Sequence, residues 1–451
     1  MKTKTFLHTA IAGLMAALPL SMSAQQMPVV QTKYTADPAP MLHNDTIFLY
    51  TSHDEDNAEG FLMKNWLLYT TTDMKNWQDR GIVAGLENFE WYKGNNGAWA
   101  IQVVERNGKF YLYAPIHGHG IGVLVADSPY GPFKDPLGKP LVWQKEHWED
   151  IDPTVFIDDD GQAYMYWGNP NLYMVKLNED MISYSGEIVK HPKIEDYQEG
   201  PWMYKRGKYY YLAFASTCCP EGIGYAMSKK PTGPWQYKGH IMNHTERTRG
   251  NHPGIIDYKG KSYVFGQNSD LLKLDMPEYK ERRSVSFAEM HYNQDGSIQE
   301  VPYWTDNTVE QVEWLDPYLL NEAEKMHWGF GLKTVAKNPW SRNERWNQWV
   351  TGIDDGEYIM VSGVDFGDGA KQLAVNVRAS LFGGIIEVRL DDVDGEKVAE
   401  VIVPCTKLKQ EELRAYVSSS AKGVHDLYFV FKGGKRQQRN LMDFDSWQFF
   451  K

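Results

Sequence analysis

The stretch Arg206-Gly207-Lys208-Tyr209-Tyr210-Tyr211-Leu212, a glycine turn feeding an aromatic strand, decides the fold because it recurs. It appears as Asn44-Asp45-Thr46-Ile47-Phe48-Leu49-Tyr50 and as Asn107-Gly108-Lys109-Phe110-Tyr111-Leu112-Tyr113. It returns as Asp160-Gly161-Gln162-Ala163-Tyr164-Met165-Tyr166 and as Lys259-Gly260-Lys261-Ser262-Tyr263-Val264-Phe265. Each turn carries Gly or Asn-Asp, as tight hairpins require, and each strand alternates with period two. Partial echoes follow, Ala126-Asp127-Ser128-Pro129-Tyr130-Gly131-Pro132-Phe133 matching Ser228-Lys229-Lys230-Pro231-Thr232-Gly233-Pro234-Trp235. Long amphipathic helical stretches are nearly absent. A mostly-strand unit of about 50 residues in five copies predicts an all-β chain led by a five-bladed β-propeller. A β-sandwich is the structural alternative, but sandwiches do not normally repeat one motif five times.

The rhythm stops near Pro317–Leu320. Gly-bounded strands follow, such as Glu357–Val361, Ile385–Leu390 and Asp426–Phe431, and these suit one β-sandwich of the jelly-roll kind. Working outward gives residues 1–24 as an export signal, 25–317 as the propeller and 318–451 as the sandwich. The signal reads from Lys2 and Lys4, the apolar run Ala10–Leu20 and the small residues Ser21-Met22-Ser23-Ala24. The mature protein is therefore expected to begin near Gln25, secreted or periplasmic, and no later segment is apolar enough to span a membrane. The net charge of -12 argues against nucleic acid and is compatible with a neutral polymer. The 14% aromatic content serves mainly sheet packing, though aromatic rings also stack on sugars. Of three cysteines, the adjacent Cys218 and Cys219 are expected not to pair with each other, and no metal-type cysteine spacing exists.

Three acids stand in unusual company. Asp37 lies in Ala36-Asp37-Pro38-Ala39-Pro40, Asp152 in Ile151-Asp152-Pro153-Thr154 and Glu199 in Glu199-Gly200-Pro201-Trp202. They precede the first, third and fourth repeat strands. Asp-Pro and Glu-Gly-Pro are ordinary turn pieces taken singly. Three in the same place relative to successive blades point instead to convergence on the propeller axis, where inner strands line a channel.

These motifs, in this order over residues 30–315, resemble glycoside hydrolase family 43. The resemblance implies a secreted inverting enzyme with Asp37 as general base, Glu199 as general acid and Asp152 as the carboxylate that orients the acid and tunes its pKa. Such a pair needs one ionised carboxylate and one kept protonated near neutral pH. The resemblance further places Trp99 and Arg283 beside the substrate, with Arg249 a rival for the arginine role, and His252 on the axis, where it helps hold a calcium ion or a water cluster. From loop tips, His53, His117 and His119 are candidates to reach sugar hydroxyls. No cofactor is required for chemistry.

The tail resembles carbohydrate-binding module family 6 through Asn321-Glu322-Ala323-Glu324, Asp355-Gly356-Glu357-Tyr358 and Asp445-Ser446-Trp447-Gln448-Phe449. That analogy implies a structural Ca²⁺ held by Glu322, Glu324 and Asp445. Asp443 stands where that family usually has Asn, and Pro404-Cys405-Thr406-Lys407 lacks its Trp. The module is therefore read as structural, or as binding by another surface, with Trp346 and Trp349 as possible replacements. The expected activity is removal of terminal α-L-arabinofuranosyl or β-D-xylosyl residues from plant cell-wall polysaccharides or oligosaccharides. The alternatives are an endo-arabinanase of the same family and an inactive carbohydrate-binding protein.

Overall fold

The computed structural model describes residues 27–451 apart from 57, 59, 245–250, 270–281, 307 and 341–345. The export signal over 1–24 and Arg249 lie outside the described residues. Five antiparallel sheets follow one another along the first two-thirds of the chain. Their first strands are Thr35–His43, Gln102–Arg106, Thr154–Ile157, Tyr197–Arg206 and Gly254–Tyr258. Each of these contacts the next, and the fifth contacts the first, so the five sheets close into a ring around one axis. This is the five-bladed propeller.

The repeated aromatic strands prove to be the second strands of the blades, for example Lys109–Pro115 and Tyr209–Ser216. Their alternation follows from burial on both faces of each blade: Tyr50, Tyr113, Tyr166, Tyr211 and Tyr263 are all buried. Several hydroxyls are satisfied by carbonyls of neighbouring turns, such as Tyr50 to Pro129 at 2.7 Å and Tyr113 to Met181 at 2.7 Å. The N-terminal segment closes the ring against the last blade, with Val29 N–H donating to Val285 O at 2.8 Å and Thr35 N–H to Arg283 O at 3.2 Å.

The tail forms two sheets packed face to face around Val375, Phe429, Phe444 and Trp447. One sheet is centred on the last strand, Asp443–Phe450, which also pairs with Asn321–Glu322, so both ends of the module are zipped together. The sandwich is docked on the outer edge of the first blade, where Lys325–Met326 pairs with Trp77–Gln78. Asn76 exchanges two hydrogen bonds with the Ser362 backbone at 2.8 and 2.9 Å, and His327 Nδ1 lies 3.1 Å from Lys75 O.

One expectation, about the cysteines, is corrected. Cys218 and Cys219 are paired with each other as a disulfide, while Cys405 is free and exposed. Glu322, Glu324 and Asp445, the implied calcium ligands, lie near enough that, beyond burial, the charge of Asp445 raises Glu322 and that of Glu322 raises Glu324. Lys337 Nζ sits 2.7 Å from Asp445 Oδ1, where a cation would stand. Glu324 also faces the first blade, accepting from Gln78 Nε2 and the Gln348 N–H, and burial, with Glu322 beside it, pushes its carboxyl well up. The module ends are pinned by backbone, Ala323 N–H donating to Asp445 O at 2.8 Å.

The possible sugar platforms are also occupied. Trp349 is buried beneath Lys337 and Arg378, and Trp346 packs toward Tyr130 of the propeller. Asp443 is paired with Arg378 at 2.7 Å.

Candidate active site

Each blade carries an equivalent dipeptide at the axis, just before or within the first residues of its first strand: Asp37-Pro38, Ala100-Ile101, Asp152-Pro153, Gly200-Pro201 and His252-Pro253. All ten residues line the axial channel. Proline lacks an N–H and ends ladder pairing there, which frees the preceding residue to turn its side chain inward. Asp37 and Asp152 adopt φ of 52° and 55°, a left-handed conformation that Asp tolerates better than most residues. Gly200 takes the same conformation at φ 57°, and a Cβ there would lie 2.8 Å from His252 Nδ1. The fourth blade therefore keeps its axial position bare for the imidazole. Glu199, one residue earlier and one methylene longer, supplies that blade's carboxylate.

His252 is the hub. Its Nδ1 lies 3.7 Å from Asp37 Oδ1, and its Nε2 lies 3.4 Å from Glu199 Oε1 and 3.9 Å from Asp152 Oδ2. Burial alone would strip its proton, but the three carboxylates reverse this and push it up to about 10. It is an imidazolium at neutral pH. Asp152, Glu199 and His252 each bring a ligand atom within 4.8 Å of the others, so two carboxylate oxygens and a ring nitrogen would hold an axial cation, with water completing the six to eight ligands that Ca²⁺ takes.

The carboxylates are held in different states. Burial pushes Asp37 up, but the Arg283 guanidinium and then His252 outweigh it and hold the carboxyl below its usual range. Arg283 Nη1 donates to Asp37 Oδ1 at 3.0 Å, while Nη2 and Nε grip the buried Asp54 at 2.8 and 3.1 Å. Gln267 Oε1 accepts the Asp37 N–H at 2.8 Å, fixing the backbone. Asp152 goes the other way. Burial, with the charges of Glu199 and Asp37 added, raises it to about 8 against the opposing effect of His252. Its Oδ2 accepts only a long bond, 3.3 Å, from the Gly200 N–H. Asn169 Nδ2 donates to Glu199 Oε2.

These residues form the floor of a pocket of ≈ 590 Å³. Asp37, Asp152, Glu199, Trp99, His117, Arg283 and His252 all line it, as the sequence reading placed them. Trp99 and His117 stack at 4.0 Å with an interplanar angle of 15°, and Trp148 meets His117 edge-on. Burial, and then His119, lowers the pKa of His117, so this wall is neutral.

His53 is a correction: it lines a separate cleft with Lys64 and Lys333, and its Nδ1 lies 2.8 Å from Asn65 Oδ1. Successive side chains at a strand end point to opposite faces, so Asp54 turns toward Arg283 and His53 away. Trp202, three residues after Glu199, faces away from the pocket. Its indole donates to Ile255 O at 3.1 Å and lines the axial channel rather than the pocket.

Sequence reasoning missed Asp54, Gln267, Asn169, Trp148 and the Cys218–Cys219 pair, all at or beside the pocket. Asn169 carried a usable signal, since Trp167-Gly168-Asn169-Pro170 ends a repeat strand at the same end of the propeller as the acids.

Comparison with known proteins agrees with this geometry. The family model described as Glycosyl hydrolases family 43 matches residues 25–298, and that for Carbohydrate binding module (family 6) matches residues 322–451. The chain is 35% identical to an arabinoxylan arabinofuranohydrolase of Bacillus subtilis (strain 168), over 94% of this chain and 92% of that one. It is 34% identical to an arabinoxylan arabinofuranohydrolase of Paenibacillus polymyxa, over 94% of this chain and 74% of the other. The crystal structure of a glycoside hydrolase family 43 arabinoxylan arabinofuranohydrolase from Bacillus subtilis, in complex with cellotetraose, superposes with a TM-score of 0.82 and 31% identity. That match covers 94% of this chain and 97% of the other. The protein is thus a glycoside hydrolase acting on carbohydrate: the chain belongs to family 43 of the glycosyl hydrolases and carries a family 6 carbohydrate-binding module.

Proposed function

We propose that this hydrolase removes terminal α-L-arabinofuranosyl residues from arabinoxylan of the plant cell wall, or from its oligosaccharides, by a single inverting displacement outside the cytoplasm. The observation that carries the reading is the opposite protonation of two carboxylates in one pocket. Asp37 is ionised and can take a proton from water. Asp152 holds a proton at neutral pH, because burial and the neighbouring carboxylates raise it to about 8. Asp37 and Glu199 face opposite nitrogens of the His252 ring, so the imidazolium holds them apart. Well-separated carboxylates, at about 6.5–9.5 Å, leave room for the attacking water of an inverting enzyme.

In this reading Asp37 removes the water's proton as it attacks the anomeric carbon, and Glu199 protonates the departing glycosidic oxygen. Asp152 keeps that proton available. The positive charge of His252 stays fixed through the cycle, which prevents the three carboxylates from all becoming neutral. Arg283 positions Asp37 and Asn169 positions Glu199. No step uses a cofactor. A pocket that ends on the axial residues suits a terminal sugar better than an internal stretch of chain, which favours exo action over an endo-arabinanase. The named arabinoxylan relatives support arabinofuranosyl over β-D-xylosyl, and the export signal over 1–24 supports a secreted or periplasmic location.

The test is a product screen on arabinoxylan, arabinan and xylo-oligosaccharides, with proton NMR of the first anomer released. Free arabinose of inverted configuration from arabinoxylan is the expected result. Xylose alone indicates a xylosidase, arabino-oligosaccharides an endo-enzyme, and binding without turnover a carbohydrate-binding protein.

A further inference from the structure

The chain has three cysteines, and two of them, Cys218 and Cys219, are adjacent, paired and exposed on the wall of the pocket. A disulfide stabilises a fold chiefly by closing a loop in the unfolded chain, more so as the loop lengthens. This one joins neighbours in sequence, so it adds little to global stability. Its placement is more telling. The pair lies on the turn after Tyr209–Ser216, the strand that pairs with Tyr197–Arg206, and Ala215 stands opposite Glu199. The sulfurs therefore belong to the same blade as Glu199, and they line the same pocket. Trp99 and His117 come from the second blade, so aromatic rings flank the pocket on one blade and sulfur on another.

The turn is held in place from several sides. Ser216 N–H donates to Gly222 O at 3.0 Å, and Gly222 N–H donates to Ser216 Oγ at 2.7 Å, which closes its neck. Thr217 N–H donates to Asp196 Oδ1 at 3.2 Å, and Asp196 is itself gripped by His240 and Tyr237. Asn251, next to His252, donates to Glu221 O at 3.4 Å. The disulfide is thus presented to the pocket in a fixed position.

Divalent sulfur is polarizable and a weak hydrogen-bonding partner, so it packs on apolar surfaces much as methionine does. A sugar ring offers C–H groups wherever its hydroxyls leave a face bare. We infer that the Cys218–Cys219 disulfide is a substrate-binding surface, packed against the terminal sugar in the pocket, so that affinity for that sugar depends on the pair being oxidised. The inference rests on the proposed exo-acting reading and adds a binding group to it. The disulfide takes no part in proton transfer, because Asp37, Glu199 and their partners keep their contacts when it opens. Opening breaks the S–S bond with two electrons and two protons from an added dithiol, which leaves as its cyclic disulfide. Two thiols result, their sulfurs are no longer tied together, and the packed face is lost.

The experiment uses the full chain carrying Cys405→Ser, which removes the exposed free thiol. Thiol titration then reads none before dithiothreitol and two after it, which fixes the state of the pair. On reduction, KM for an aryl arabinofuranoside and the inhibition constant of free arabinose are expected to rise about 3- to 10-fold with kcat nearly unchanged, the pattern of a lost ground-state contact. Reoxidation by oxidised glutathione, which takes up the two electrons and two protons, should restore both constants. Cys218→Ser/Cys219→Ser should match the reduced protein and ignore dithiothreitol. A merely structural pair would lower kcat and Tm together with binding, and that pattern overturns the inference. So do unchanged constants with two thiols counted. If the protein releases no arabinose, the proposed function fails, and the disulfide is read instead by binding of arabinose and xylose, followed through the fluorescence of Trp99 and Trp148 in the pocket wall. Weaker binding of either sugar after reduction upholds the inference; equal binding, or none to the oxidised form, overturns it.

Discussion

Replacing Arg283 by Met tests the electrostatics of the site most directly. The guanidinium donates to Asp37 at 3.0 Å and to Asp54 at 2.8 Å, and all three side chains are buried. An opposite charge at this range lowers a carboxylate pKa by about 1–3 units. His252 still faces Asp37 at 3.7 Å in the variant, so the lower half of that range applies, and Asp37 should rise by about 1–2 pH units. The base must be ionised to act, so its pKa sets the acid limb of kcat/KM. In the wild type that limb lies below the usual carboxylate range, and in Arg283→Met it should move up into the readily measured region. The alkaline limb belongs to the proton held by Asp152, near pH 8. Arg283 is not among the charges that set Asp152, so this limb should stay.

The assay is a pH profile of kcat/KM on an aryl arabinofuranoside with a good leaving group, run beside thermal unfolding. Removing Arg283 also leaves Asp54 buried without its cation, a loss of about 3–5 kcal/mol at neutral pH. Sign and window are linked. A carboxylate with a depressed folded pKa contributes stability above its unfolded pKa, and that contribution disappears as pH falls through the folded value. The variant should therefore be weakest relative to wild type at neutral pH, and Asp54→Asn in the same chain should restore part of the loss. An acid limb that stays or moves down refutes the reasoning. So does movement of both limbs together.

Glu199→Ala should lose little on aryl substrates with very good leaving groups and about 10²-fold or more on arabinoxylan, as measured by kcat, because only poor leaving groups need the acid. At the interface, burial, aided by Lys75, lowers His327 to about 4, with Asp426 and Asp73 opposing. A buried neutral His costs stability as pH falls from about 6.5 toward 4, on the order of 3 kcal/mol in total at 1.36 kcal/mol per unit. His327→Gln should flatten that part of the Tm-against-pH curve, and an unaltered slope would show that another group is responsible.

Much of this was legible in the residues. The five turn-strand copies announced the blades because a blade's second strand, buried on both faces, tolerates little besides alternating aromatic and aliphatic side chains. Asp37, Asp152 and Glu199 stood out because each sits at a fixed place relative to a repeat. What stayed hidden came from the third dimension. Asp54 reads as an ordinary acid among Ser52-His53-Asp54-Glu55, and only the strand's facing turns it, rather than His53, toward the site. Trp349 looks like a sugar platform until Lys337 and Arg378 are seen to cover it. The acidic pattern of Glu322, Glu324 and Asp445 gave no sign that Lys337 and the first blade also reach two of these carboxylates.

The axial ring explains why the motifs differ between blades. Five equivalent positions converge on one small space, and five long side chains would not fit. Two blades contribute aspartates, one contributes His252, and two, at Ala100 and Gly200, contribute almost nothing. Gly200 cannot be enlarged, because a Cβ would press within 2.8–3.1 Å of the imidazole. The acid was therefore displaced to Glu199, whose extra methylene lets it approach Nε2 of His252 from one position upstream. Glu-Gly-Pro and Asp-Pro are thus two solutions to one packing problem. Restoring the Asp-Pro form in the fourth blade, by Gly200→Asp, should abolish activity even with Glu199 retained, because the imidazolium that separates Asp37 from Glu199 would be driven off the axis. Retained activity with a normal pH profile would show that His252 is not the element that sets the geometry of the site.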